Sequence, residues 1–221
     1  MPRSRPTVLF DLDGTLTDSR TGITACIRHA LDKLGRACPD DDALTTYVGP
    51  PLRGTLSTLL GTRDPALIDE AVAHYRARYD DVGLFENRVY DGVPEMLEAA
   101  ARSGRTLLVA TAKLQHAAAR IVEHFGLTRH FTGVYGAEPG GRFDAKRDLL
   151  AHLVEAGVVQ AHTSVMVGDR ASDIVAAKVN GIRSIGASWG YGDPGELAGA
   201  GVDLLCESPR ALARCLGHLV E

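Results

Sequence analysis

Long apolar stretches are missing from this 221-residue sequence, and with them any segment of the roughly 20 residues needed to span a bilayer. The start, Met1-Pro2-Arg3-Ser4-Arg5-Pro6, is basic, but the apolar run behind it stops at Asp11, too short for the core of a secretion signal. Cysteine is sparse. Cys26, Cys38, Cys206 and Cys215 form no C-x-x-C pair and no close-spaced cluster, so free thiols in a reducing compartment are the expectation. The 8 histidines show no H-E-x-x-H or comparable ligand spacing. A formal net charge of -4 without any basic run leaves no footprint for nucleic acid. Repeats and low-complexity segments are absent too. What remains is the expectation of a cytoplasmic globular protein, monomer or homodimer, with no membrane or nucleic-acid partner. Its hydrophobic content of 45% and charged content of 24% are ordinary for that class. The length suits one domain, or one domain carrying an inserted module.

Against this plain background one stretch stands out, Val8-Leu9-Phe10-Asp11-Leu12-Asp13-Gly14-Thr15-Leu16-Thr17-Asp18-Ser19. Val8 to Phe10 reads as a short buried strand. Strand side chains alternate, so Asp11 and Asp13 start on one side, and Gly14 gives the backbone freedom to turn. Asp18 or Ser19 could cap the following helix, but capping accounts for neither Asp11 nor Asp13. Two like charges at the end of a buried strand repel and resist desolvation. A divalent cation would compensate them, and magnesium prefers hard oxygen ligands shared with water and phosphate.

The rest of the chain divides in two. From Arg20 to about Gly35 the spacing Ile23, Ile27, Ala30, Leu31, Leu34 predicts a helix. Asp40-Asp41-Asp42 opens a short element, Tyr47 to Arg53 is a loop entering a helix at Pro51, and Asp64-Pro65 begins a helix reaching about Tyr79. Residues 20 to 85 read as helices only. After Asp91-Gly92 strands and helices alternate: helix 93–103, strand Thr106 to Thr111, helix 115–125, strand Phe131 to Tyr135, helix 146–156, strand Ser164 to Val167, helix 171–180, strand Ser184 to Trp189, strand Val202 to Leu205, helix 208–219. Alternation of this kind argues an α/β fold, a doubly wound parallel sheet of Rossmann-like type, interrupted after its first strand by a helical insert. The expected division is 1–18 with 88–221 as core and 19–87 as insert. Ligands of such sheets sit at the carboxyl ends of the strands.

Polar groups cluster at those ends. Asp11 and Asp13 follow the first strand, Thr111 with Ala112 and Lys113 the second, Lys146 opens a helix, and Gly168-Asp169 with Asp173 follows the Val-Met-Val strand. The order D-x-D, Thr, Lys, G-D-x-x-x-D resembles the four motifs of the haloacid dehalogenase superfamily, from about Val8 to the C-terminus. The insert, with Gly49-Pro50-Pro51-Leu52, is similar to the mobile cap of the phosphoglycolate phosphatase-like branch, as is Gly190-Tyr191-Gly192 in the core.

That resemblance implies a magnesium-dependent phosphatase acting on a small phosphorylated metabolite. Asp11 would attack phosphorus to give an aspartyl phosphate, and Asp13 would serve as general acid and then base. Thr111 and Lys146 would hold phosphoryl oxygens, with Gly14, Thr15, Ala112 and Lys113 beside the substrate. Asp11, the backbone carbonyl of Asp13, and Asp169 would ligate Mg2+, and Asp173 would do so directly or through water. Dehalogenases need no acid at the second position, so Asp13 favours phosphoryl chemistry. Arg53 is either a solvated helix residue or the contact for a second anionic group, a role for which Lys113, just past Thr111, is the better candidate. Relatives often carry Ser-Lys-Pro after the threonine; Ala112-Lys113-Leu114 loses a hydroxyl and a rigid turn. A phosphomutase shares every one of these residues. A non-catalytic phosphate sensor would be expected to lack Asp11 or Asp13.

Overall fold

The computed structural model describes residues 6–218. Its contacts divide the chain into two compact units, Met1–Thr17 with Val89–Glu221, and Asp18–Arg88.

The first unit is built on a six-stranded parallel sheet. Its strands are β1 (Thr7–Phe10), β4 (Thr106–Leu114), β5 (Gly133–Ala137), β6 (Ser164–Gly168), β7 (Arg183–Ala187) and β8 (Leu204–Cys206), in the order β5-β4-β1-β6-β7-β8. β1 lies in the middle, with Thr7 opposite Thr106 on one side and Ser164 on the other. Every residue of β1 and β6 is buried, as expected of strands covered on both faces. The chain builds outward from β1 through β4 and β5, then returns and builds outward the other way through β6, β7 and β8. The order therefore reverses between β1 and β6, the point at which sheets of this kind bind their ligands, beyond the carboxyl ends of the strands.

Helices α5 (Val93–Arg102), α6 (Gln115–His124), α7 (Lys146–Glu155), α8 (Ala171–Val179), α9 (Pro194–Gly199) and α10 (Pro209–His218) complete this unit. α5 packs on α10, and α7 on α8, which meets α9. Leu9, Leu108 and Met166 of the sheet join Leu149, Leu150, Leu153, Ala176 and Ala177 of α7 and α8 in one core layer. Phe10, one residue on, meets Phe131 edge-to-face at 6.2 Å.

The second unit consists of α1 (Arg20–Lys33), α2 (Asp41–Thr45), α3 (Leu52–Leu60), α4 (Pro65–Arg78) and a π-helical turn, Tyr79–Gly83. Asp40 and Asp64 cap α2 and α4 by accepting from Ala43 N and Ala66 N. Leu56, Ile68, Ala71 and Val72 form its small core. Where the chain leaves and re-enters the sheet unit, the short strands β2 (Thr17–Asp18) and β3 (Arg88–Val89) pair with each other. No helix among the described residues is long and apolar enough to cross a membrane.

Several boundaries differ from the sequence expectation. β4 continues past Thr111 to Leu114 because a register shift between Ala110 and Leu114 lets it rejoin β5 at Ala137. β5 starts two residues late because Thr128–His130 forms a 3-10 turn. β7 releases Ser188 and Trp189, and β8 runs over Leu204–Cys206 rather than from Val202. Unexpected was α9, although its Asp193-Pro194 start repeats the Asp-Pro signal of α4. The expected helix end at residue 219 lies outside the described residues, as does the basic stretch Met1 to Arg5. Cys206 and Cys215, nine residues apart in sequence, bring their sulfurs to 3.7 Å as free thiols.

Gly22 lies inside α1, where alanine normally stabilises a helix by ~1 kcal/mol. Here a Cβ would sit 2.0 Å from the Gly83 carbonyl oxygen. Backbone cannot step aside as a flexible side chain does, so Gly22→Ala is expected to destabilise the helical unit by roughly 1–3 kcal/mol. Urea unfolding followed by circular dichroism checks the sign.

Candidate active site

The turn after β1 is held by its own backbone: Leu16 N and Thr17 N both donate to Leu12 O, at 2.9 and 3.0 Å. Asp11 N still donates to Val167 O at 2.9 Å, so Asp11 belongs to the end of the sheet rather than to a free loop. Gly14 takes φ of +82°, and a Cβ there would lie 2.2 Å from Asp169 Oδ2. Only glycine satisfies both demands.

Asp11, Asp169 and Asp173 are buried, and one carboxylate oxygen from each lies within 4.8 Å of the others. They come from two neighbouring strand ends, after β1 and β6, with Asp173 in the first turn of α8. Lys146, the first residue of α7, puts its ammonium between them. Nζ is 2.9 Å from Asp11 Oδ1 and also pairs with Asp173 Oδ1. Asp11 Oδ1 accepts from Leu12 N at 2.8 Å as well. Asp173 Oδ2 accepts from Arg170 N at 3.0 Å, a capping bond at the start of α8. Asp169 is held by Tyr191 N on Oδ2 at 2.8 Å and by Thr15 Oγ1 on Oδ1 at 3.1 Å.

The electrostatics follow from this crowding. Burial pushes the Asp11 carboxyl up to about 6, against the pull of Lys146, and the Asp173 charge adds to the rise. Burial, then the Asp173 and Asp11 charges, hold Asp169 well above the usual carboxylate range. Burial works against the charge of Lys146, yet Asp11 and Asp173 overcome it and keep the ammonium more basic than usual. One cation thus serves three acids. A hard divalent ion fits such a site: all three side chains offer oxygen, and the remaining negative charge is uncompensated.

Asp13 lies beside this cluster. Its Oδ2 is 3.0 Å from Lys113 Nζ, while Oδ1 is buried without a hydrogen-bond partner. The shifted register of β4 brings in the residues after Ala110. Thr111 is buried, and its Oγ1 accepts from Lys113 N at 3.2 Å. Ala112 sits half-buried between them. The sheet unit thus gathers Asp11, Asp13, Gly14, Thr15, Thr111, Ala112, Lys113, Lys146, Asp169 and Asp173 at the carboxyl ends of β1, β4 and β6. Arg53 is not among them. It belongs to the helical unit, on α3, and pairs with Asp69 of α4 at an exposed position.

Sequence reasoning passed over Trp189, whose indole Nε1 donates to Thr15 O at 3.0 Å, and Glu196, whose Oε1 accepts from Ala171 N at 2.8 Å and meets Arg170 Nε at 3.1 Å. The glycines around Tyr191 marked the first region, but nothing in the spacing pointed to the indole.

A sheet whose order reverses beside a cluster of acids, one lysine and a strand-end threonine defines a class, the hydrolases of Rossmann-like fold with a carboxylate-centred site. Residues 8–187 match the haloacid dehalogenase-like hydrolase family, and the chain belongs to it. It is similar to a 5'-nucleotidase of Pseudomonas aeruginosa, 43% identical over 96% of this chain and 95% of that protein. The tyrosine-protein kinase PtkA of Mycobacterium tuberculosis is 41% identical over 84% of this chain and 62% of its own length. A phosphoglycolate phosphatase of Agrobacterium fabrum is 33% identical over 85% of this chain and 82% of its own. Among solved structures, a predicted phosphatase from Clostridium acetobutylicum superposes with a TM-score of 0.91 at 34% identity, covering 96% of this chain and 98% of that one.

Lys146→Met keeps the length and removes the charge. It leaves buried carboxylates without their cation, which at pH 8 is expected to cost roughly 3–5 kcal/mol in chelator-treated protein. Added magnesium should restore part of that loss. An unchanged unfolding midpoint at pH 8 would remove Lys146 from the charge balance.

Proposed function

We propose that this protein is a magnesium-dependent phosphatase of small phosphomonoesters, with Asp11 as nucleophile. The observation that carries this reading is the Asp11–Asp13 pair: one buried carboxylate fixed by Lys146, the other with a buried oxygen that nothing hydrogen-bonds. Lys146 and Leu12 N both bind Asp11 through Oδ1, so Oδ2 is the oxygen proposed to bond to phosphorus. In the first step the bond from phosphorus to the leaving oxygen breaks as Asp13 protonates that oxygen, leaving an aspartyl phosphate on Asp11. In the second, Asp13 takes a proton from the water that attacks phosphorus, and inorganic phosphate leaves. Thr111, Lys146 and Lys113 would hold the phosphoryl oxygens, with Lys113 shifting from Asp13 to the substrate. Asp11, the Asp13 carbonyl, Asp169 and Asp173 would hold the ion, which when bound supplies positive charge that lets two anions meet.

Support for phosphomonoesters comes from the names of the relatives, a 5'-nucleotidase and a phosphoglycolate phosphatase among them. The helical unit is proposed as the cap that meets the leaving group. Arg53 can contribute there, because parting an exposed Arg–Asp pair such as Arg53–Asp69 costs only about 0–1 kcal/mol.

A phosphate-release screen over nucleoside monophosphates, phosphoglycolate, sugar phosphates and phosphotyrosine, with magnesium and with chelator, tests the reading. Asp11→Asn is expected to lower turnover of the best substrate by about three orders of magnitude or more. Release by the variant at the parental rate would rule out Asp11 as nucleophile. Isomerised substrate without free phosphate would replace hydrolysis by mutase chemistry. Arg53→Ala is expected to raise KM for carboxylated substrates while sparing an aryl phosphate; equal effects on both would remove it from substrate choice.

A further inference from the structure

Asp169 is completely buried, and two donors orient it: Thr15 Oγ1 from the β1 turn and Tyr191 N from the segment after β7. These donors sit on separate stretches of chain. If Asp169 alone joined them, its carboxylate would have to hold the stretches together and also turn its lone pairs to an ion. The structure contains a second link. Trp189 Nε1 donates to Thr15 O at 3.0 Å, two residues before Tyr191. A closed ring results, from Thr15 through Asp169 and Tyr191 back along the chain to Trp189 and Thr15.

The segment has its own anchors on the other side. Ser188 N and Ser188 Oγ both donate to Cys206 O at 3.0 Å, and Gly190 N donates to Ala187 O at 3.2 Å. It also presses close to the site, since a Cβ on Gly190 would lie 2.3 Å from both Asp169 Cβ and Gly14 O. The indole spans a fixed length with a single donor aimed at a single carbonyl. It sets the distance between the β1 turn and the 188–192 segment, and through that distance the orientation of Asp169.

We infer that Trp189 is a positioning residue for the metal site, tying the Thr15 turn to the Tyr191 segment so that Asp169 presents its oxygens to the ion in a fixed orientation. The inference rests on the metal reading given above. Partners that orient a ligand in this way typically account for about 10–100-fold in metal affinity. The single donor of the indole goes to the Thr15 carbonyl and not to Asp11 or Asp13, so its loss acts on ion binding before it acts on chemistry at phosphorus.

The test uses Mn2+ alone, counted by electron paramagnetic resonance, with Mg2+ as competitor, on the full chain. Trp189→Phe keeps an aromatic ring and removes the donor. It is expected to bind Mn2+ roughly tenfold more weakly while melting within a degree or two of the parent in chelator. Parental Mn2+ affinity in the variant would overturn the role of Trp189. Failure of the parent itself to bind Mn2+ would instead overturn the metal reading. Should Trp189→Phe fail to fold, the native protein decides through its own fluorescence, because the sequence contains 1 tryptophan. Mg2+ is expected to change its emission saturably, at the same midpoint at which it displaces Mn2+. Emission unaffected by Mg2+ at concentrations that displace Mn2+ would show that the indole does not sense the site, against the inference.

Discussion

Three buried carboxylates, with one oxygen of each within 4.8 Å of the others, form the constraint to which the sheet unit is fitted. At that separation each pair of full charges repels by roughly 3.5 kcal/mol at an effective dielectric of about 20. Nothing in hydrophobic packing would bring them together; other contacts must hold them there. β1 and β6 do so as adjacent fully buried strands, α8 fixes Asp173 through its first-turn capping bond, and α7 delivers the ammonium of Lys146. The reversal of strand order at β1 is what lets loops from both strands diverge and leave room beyond their ends.

Relatives with this core carry different names: nucleotidase, phosphoglycolate phosphatase, tyrosine kinase. A scaffold common to those names argues that substrate choice is set by residues around the strand ends rather than by the acids themselves. In this chain two places can differ without disturbing the charge cluster. One is the β4 segment Thr111 to Leu114, where the shifted register aims Lys113 at Asp13. The other is the helical unit Asp18–Arg88, which has a small core of its own in Leu56, Ile68, Ala71 and Val72.

Much of this was legible before any coordinates. A short apolar strand ending in Asp-x-Asp-Gly announces acids that need compensation, and Asp169 with Asp173 announces their counterpart, because chemistry of this kind tolerates few other residues at those spacings. Lys146 was legible only by its place in that order, since a lysine at a helix start ordinarily faces water. What stayed hidden depends on three-dimensional register. Thr111 looked like the end of β4 because Ala112-Lys113 breaks the apolar run, and no local signal reports that the strand rejoins β5 three residues later. Trp189 looked like the last residue of a strand, whereas its indole bonds a carbonyl 174 residues earlier.

The central place of β1 has a consequence for how the molecule is made. Its neighbours are residues 106–109 and 164–167, which at synthesis rates of about 5–20 residues per second leave the ribosome roughly 5 to 30 seconds after Phe10. The helical segment that follows β1 has its contacts close at hand and can assemble within milliseconds of emerging. Between the emergence of Arg88 and that of Thr106 the nascent chain is then a helical unit tethered to one sticky, unpaired apolar strand; the second neighbour follows only with Ser164, and that interval is when a chaperone has something to hold.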